Sequence, residues 1–179
     1  MRVNIIGNSG AGKTTLGKAV AEVLGCPFHE LDDLHWGPDW TPRPREELRR
    51  SVAEVVKEPS WVIDGNYARG ARDLIWPHTD LVVWLDLPLS TCLRQLLKRT
   101  TRRFLSKEAL WTAGNRESLT EAIFSWNSLI GGAIRDYRPR RADNFRSLCS
   151  AGAPRSQRLC SPAERDVWLA GFRADYSPL

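Results

Sequence analysis

Gly7-Asn8-Ser9-Gly10-Ala11-Gly12-Lys13-Thr14 is the stretch that decides how this chain folds. It satisfies G-x-x-x-x-G-K-[ST], the phosphate-binding loop or P-loop. It stands between Arg2–Ile6, a short strand with β-branched residues, and Lys13–Leu24, a helical stretch closed by Gly25. Strand, loop and helix are the context this motif needs. Its glycines let backbone N–H groups turn inward around phosphate oxygens, and the helix dipole adds partial positive charge. Lys13 is placed to reach the β- and γ-phosphates, and the Thr14 hydroxyl to ligate Mg2+. Residues Gly7, Asn8, Ser9, Gly10, Ala11, Gly12, Lys13 and Thr14, with the adjoining Thr15, form the expected ATP-binding set.

Working outward, Phe28–Leu31 reads as a second strand. A loop follows with Asp32, Asp33, Trp36, Pro38, Trp40, Pro42 and Pro44. A helix is expected from about Pro44 to Lys57, with Glu46 and Glu47 near the positive end of its dipole. Trp61–Asp64 and Leu81–Leu85 are compact apolar strands, and unbroken apolar runs of this kind suit a parallel sheet covered on both faces. Ser90–Phe104 reads as a helix with Leu93, Leu96 and Leu97 inward and a basic face of Arg94, Lys98, Arg99, Arg102 and Arg103. A polar connection at 105–117 precedes a helix over Leu119–Tyr137. The arginine-, serine- and proline-rich stretch that follows reads as a flexible excursion, centred on 138–157. A last strand near Gln157–Cys160 leads to the capping box Ser161-Pro162-Ala163-Glu164, which opens a final helix packing Trp168 and Phe172. The expectation is a single α/β domain over 1–179 with a lid at about 99–118.

The chain has 179 residues, 42% hydrophobic and 26% charged, enough for a core that needs no disulfide or metal staple. No apolar run approaches the roughly 20 residues that cross a bilayer, and the N-terminal run is too short for a secretory signal. A cytoplasmic protein is expected. Cys26, Cys92, Cys149 and Cys160 show no zinc spacing and read as free thiols. Residues 1–88 hold 10 Lys/Arg against 13 Asp/Glu, and residues 89–179 hold 16 against 8. A second half carrying +8 suggests that a polyanion meets it, either nucleic acid or the phosphates of a small nucleotide.

A P-loop names a nucleoside triphosphate but not its fate. Ligands of open α/β sheets bind at the C-terminal ends of the strands, where Asp32, Asp33, Asp64 and Asp86 stand. Asp64 ends an apolar strand as a Mg2+-holding carboxylate would; the alternative is a turn residue before Gly65. Asp32 or Asp33 could position an acceptor or take a hydroxyl proton, or be solvated loop residues. Asp86 reads as a capping or solvated residue. Arg99 and Arg103, four apart on one helix face, and Arg116 could close over a transferring phosphoryl group, or the first two could form a solvated basic face. Trp36 and Trp40 could stack on an acceptor ring, though hydrophobic cover is the commoner role of such tryptophans.

The strings GNSGAGKTT (7–15), ELDDLHWGPDW (30–40), WVIDGNYARG (61–70), DLVVWLDLP (80–88), RTTRRF (99–104), GNRES (114–118) and RLCSPAERDVWL (158–169) resemble the adenylate kinase-like branch of P-loop nucleoside and nucleotide kinases. The likeness is closest to the bacterial DNA topology modulation and adenylate kinase-related proteins. It implies a three-layer P-loop fold with a five-stranded parallel sheet of order 2-3-1-4-5, ATP and Mg2+, an acceptor between strands two and three, and an arginine lid. It also implies an acceptor-binding arginine after strand three, where Arg69 lies five residues after Asp64 instead of the four of adenylate kinases. The carboxylate pair after strand two also resembles shikimate- and gluconate-type kinases, whose acceptors are alcohols. The expected activity is phosphoryl transfer from ATP to a nucleoside or nucleotide. The alternatives are a non-nucleotide alcohol as acceptor, or a nucleotide-controlled DNA-binding regulator. Catalytic roles fall to Lys13, Arg99, Arg103, Arg116 and Asp32, acceptor binding to Asp32, Asp33, Trp36, Asp64 and Arg69, and metal binding to Thr14 and Asp64. The expected partner is a small molecule, with no membrane, and the chain a monomer or homodimer.

Overall fold

The alternation of apolar strands and amphipathic helices forms, in a computed structural model that describes residues 1–67, 70–106, 113–114 and 129–176, a parallel sheet between two helical layers. The elements run β1 (Arg2–Gly7), α1 (Lys13–Leu24), β2 (Phe28–Glu30), α2 (Leu31–His35), α3 (Arg45–Val55), β3 (Trp61–Asp64), α4 (Arg72–Ile75), β4 (Leu81–Leu85), α5 (Leu89–Ser106), α6 (Leu129–Leu148), β5 (Ser156–Leu159) and α7 (Pro162–Tyr176). Short 3-10 turns cover Pro38–Trp40 and Trp76–His78. The strand order is β2-β3-β1-β4-β5, with every pairing parallel. The order 2-3-1-4-5 is therefore as expected.

Residues of β3 and β4 are buried throughout, whereas the edge strands β2 and β5 are partly open, which matches their more polar sequences. Side chains alternate across β1. Val3 and Ile5 join Leu16 and Val20 of α1, Cys92 of α5 and Phe172 of α7 on one face. Trp61 and Ile63 of β3 join Leu48 and Val52 of α3 and Ile75 of α4 on the other. Asn4 is buried within β1, and its amide is satisfied: Nδ2 donates to the Ile63 carbonyl at 3.1 Å, and Oδ1 accepts from Trp76 Nε1 at 3.1 Å.

Three local expectations change. The inner face of α5 is Cys92, Leu96 and Thr100, while Leu97 is exposed, because α5 is turned by one residue relative to the leucine pattern. Asp32 and Asp33 lie on the short helix α2 instead of an open loop. The segment 138–157, expected as an excursion, is helical to Leu148 and becomes β5 at Ser156. Pro139 sits inside α6 and removes one backbone donor. Tertiary contacts override that loss: Arg72 donates to Ser147 Oγ at 2.6 Å and Asn144 Oδ1 at 3.2 Å, and pairs with Asp143 at 2.9 Å. The four cysteines are free. Among the described residues no helix is long and apolar enough to cross a membrane, and no group of three His, Cys, Asp or Glu side chains forms a metal cluster.

Candidate phosphoryl-transfer site

The parallel sheet brings Gly7, Glu30, Asp64, Asp86 and Cys160 to one edge, because each stands at or just after the C-terminal end of a strand. The P-loop crosses that edge from β1 into α1. Gly10 has φ 79° and Gly12 φ 89°, left-handed conformations that glycine adopts without strain. A Cβ on Gly10 would run into the backbone carbonyl of Cys92, so this glycine also sets how closely the loop approaches α5. Asn8 is buried, and among the described residues its Nδ2 lacks an acceptor. Thr15 is exposed on the outer surface of α1.

Lys13, Thr14 and Asp64 converge. Thr14 Oγ1 donates to Asp64 Oδ2 at 2.6 Å, and Lys13 Nζ lies 4.0 Å from Asp64 Oδ1. Lys13 Nζ also donates to the Asn8 carbonyl at 3.4 Å. The Asp64 carboxylate is 6% exposed, and its Oδ1 has no hydrogen-bond partner among the described residues. Burial pushes its acid up to about 6, against the pull of Lys13 and the Thr14 hydrogen bond. A hydroxyl and a carboxylate at the start of α1 and the end of β3 are hard oxygen donors of the kind Mg2+ takes alongside phosphate oxygens and water. The residues present therefore fit both ATP phosphates and Mg2+.

On the β2 side, Asp32 Oδ1 accepts from the Tyr67 hydroxyl at 2.7 Å. Burial is the main reason the Tyr67 phenol is held well above its usual range, with Asp32 adding to it. A line of rings continues from Tyr67. His35 lies 5.1 Å from Tyr67 and 4.7 Å from Trp36, and Trp36 lies 6.0 Å from Trp40, edge to face. Burial lowers the pKa of His35, while Asp32 opposes it. Asp33 is half-buried beside them on α2. The α5 arginines divide: Arg99 and Arg103 are half-buried on the side of Leu96 and Thr100, while Arg94, Lys98 and Arg102 are exposed. Arg69 and Arg116 lie outside the described residues.

Two features escape the sequence reading. Tyr67 could be found only by knowing that β3 delivers it beside Asp32. Asp86 is not a solvated cap: its side chain is fully buried, and it accepts from Arg141 Nε at 2.8 Å and from Arg158 Nη2 at 2.5 Å and Nε at 2.9 Å. Arg158 also lies over the Trp84 ring at 4.9 Å. An aspartate ending an apolar strand was the available signal, but its partners are far along the chain.

The family model for shikimate kinase matches residues 9–61, the segment from the P-loop through α3 to the start of β3. The chain is 28% identical over 140 residues to the uncharacterized protein YqaC of Bacillus subtilis (strain 168), covering 77% of each. It is 24% identical over 160 residues to the shikimate kinase of Thermosynechococcus vestitus, covering 82% of this chain and 85% of that one. Among solved structures, the shikimate kinase from Acinetobacter baumannii in complex with shikimate superposes with a TM-score of 0.59 at 18% identity, covering 97% of this chain and 92% of that one. These relatives do not support the expectation of a nucleoside or nucleotide acceptor, and they favour the alcohol alternative. With its P-loop and its 2-3-1-4-5 sheet, the chain has the α/β P-loop kinase fold that the solved shikimate kinase structure also shows.

Proposed function

We propose that the chain is an ATP- and Mg2+-dependent kinase that phosphorylates a hydroxyl group of a small non-nucleotide alcohol. The Thr14–Asp64 hydrogen bond beside Lys13 carries this reading, since it assembles a phosphate-binding cation and two metal-ligand oxygens at the P-loop. The shikimate kinase likeness over 9–61 supports a hydroxyl acceptor. In the transfer, the acceptor oxygen forms a bond to the γ-phosphorus, the β–γ bridging P–O bond breaks, and ADP leaves. Mg2+, when held by Thr14 and Asp64, offsets the charge of the phosphates.

The chain's own residues supply the rest. Lys13 and the P-loop amides hold the phosphates. Asp32, oriented by the Tyr67 hydroxyl, accepts the proton of the acceptor hydroxyl. Asp33 and Trp36 line the acceptor side, and Arg99 and Arg103 face the transferring group. Arg69 would add to acceptor binding and Arg116 to holding the transferring group. ADP release measured with shikimate, gluconate, neutral sugars, nucleosides and nucleoside monophosphates tests the reading. Stimulation by an alcohol that Lys13→Ala abolishes is expected. Stimulation by nucleoside monophosphates alone would overturn it.

A further inference from the structure

The space into which a side chain on Gly12 would project is flanked by two groups from elsewhere in the chain. Arg165 Nη1 lies 3.4 Å from that point and Gln95 Oε1 3.6 Å from it. Arg165 belongs to the first turns of α7, its backbone N–H donates to the Ser161 carbonyl at 3.1 Å, and its side chain is 22% exposed. Its Nε and Nη2 face Asp166 Oδ1 at 2.9 and 2.7 Å, so Nη1 is the nitrogen turned to the P-loop.

This is an unfavourable place for a cation without an anion. Both α1 and α7 begin here, and each presents the positive end of its dipole, which disfavours a guanidinium. Lys13 adds a second positive charge one residue from Gly12. Two carboxylates offset part of this: Asp166, whose side chain is 64% exposed and screened by water, and Glu164 of the capping box, whose oxygens are taken up by the Cys160 N–H and the Ser161 hydroxyl. A phosphate chain seated in the loop would be met by two helix N-termini, an ammonium and a guanidinium.

Resting on the reading that nucleotide phosphates occupy the P-loop, we propose that Arg165 of α7 is a further nucleotide-binding residue, which holds the phosphate chain from the Gly12 side. Lys13 then grips the chain from within the loop and Arg165 from outside it, which ties the last helix to the nucleotide.

Binding of ADP and of inorganic tripolyphosphate, each with Mg2+, should be measured by calorimetry for wild type, Arg165→Gln, Arg165→Lys and Asp166→Asn, with thermal unfolding as a control for folding. Arg165→Gln is expected to weaken both ligands about tenfold, and Arg165→Lys to recover most of the loss. Asp166→Asn, which removes the competing carboxylate, should bind both at least as tightly as wild type. Wild-type affinity in Arg165→Gln would overturn the proposal, and so would a loss confined to ADP, since that would place the contact on the nucleoside. A weakening of both ligands in Asp166→Asn would also count against it, and this variant remains informative if Arg165→Gln does not fold. Failure of wild type itself to bind either ligand would instead remove the underlying kinase reading.

Discussion

Thr14 Oγ1 and Asp64 Oδ2, fifty residues apart in sequence, lie 2.6 Å apart, the hydroxyl donating to a carboxylate that is almost completely buried. The contact fixes the start of α1 to the end of β3. In the proposed kinase it also holds ready two oxygens for a phosphate-bound cation.

Burial raises the Asp64 acid from 3.8 to about 6, and this gives opposite pH trends for metal binding and stability. Mg2+-dependent nucleotide affinity should fall as pH drops through about 6, because the protonated acid is a poor ligand. An acid whose folded pKa is raised contributes stability that is present below its unfolded value and lost as pH rises through the folded value. Metal-free protein should therefore lose on the order of 3 kcal/mol from this group between about pH 4 and pH 7. Asp64→Asn should flatten this dependence in denaturant titrations and abolish the tightening by Mg2+.

Asp32→Asn should lower acceptor-stimulated ADP release by about 100-fold or more, the usual contribution of a general base, with ADP affinity unchanged. Tyr67→Phe removes only the hydroxyl that orients Asp32, so a fall of less than about tenfold is expected. Equal rates in wild type and Asp32→Asn, read in a coupled assay, would remove Asp32 from the proton transfer.

Gly10→Ala and Gly25→Ala separate steric from conformational cost. Both glycines have positive φ, 79° and 59°, but only Gly10 faces a backbone carbonyl, while Gly25 meets open space. Gly25→Ala should cost about 1 kcal/mol, the left-handed penalty at a helix C-terminus. Gly10→Ala should cost about 3 kcal/mol or more and abolish ADP binding. Chemical denaturation with and without ADP distinguishes them.

Asp86→Ala should destabilise the fold by about 2 kcal/mol, less than the loss of a fully buried ion pair, because Arg141 and Arg158 are each nearly half-exposed and can turn to water. Arg141→Ala should cost under about 1 kcal/mol, since Arg158 still holds the carboxylate. Urea midpoints of the two variants provide the comparison.

What could be read from the sequence was whatever depends on neighbours along the chain. The P-loop, the parallel apolar strands and the final capping box have local signatures, and Ser161 Oγ does accept from the Glu164 N–H at 3.2 Å. The convergence of Lys13, Thr14 and Asp64 is legible because a motif and a strand end mark them. Asp86 was misread because burial is a property of the sheet and of α6, not of the residues beside it. The course of α6 past Pro139 was hidden for a similar reason, since Arg72, some seventy residues earlier, supplies the contacts that hold it. Arg165 carried no signal, because its position depends on where α7 lands.

The arginine partners of Asp86 lie 55 and 72 residues downstream, so β4 acquires a buried negative charge that nothing nearby can neutralise. Non-local closures of this kind form slowly, although their entropic cost grows only weakly with length. Without the C-terminal third of the chain docked, the carboxylate would lack both of its cationic partners. The end of β4 is thus complete only with α6 and β5 in place, which makes the C-terminal third of the chain part of the same cooperative unit as the strand edge that carries the P-loop.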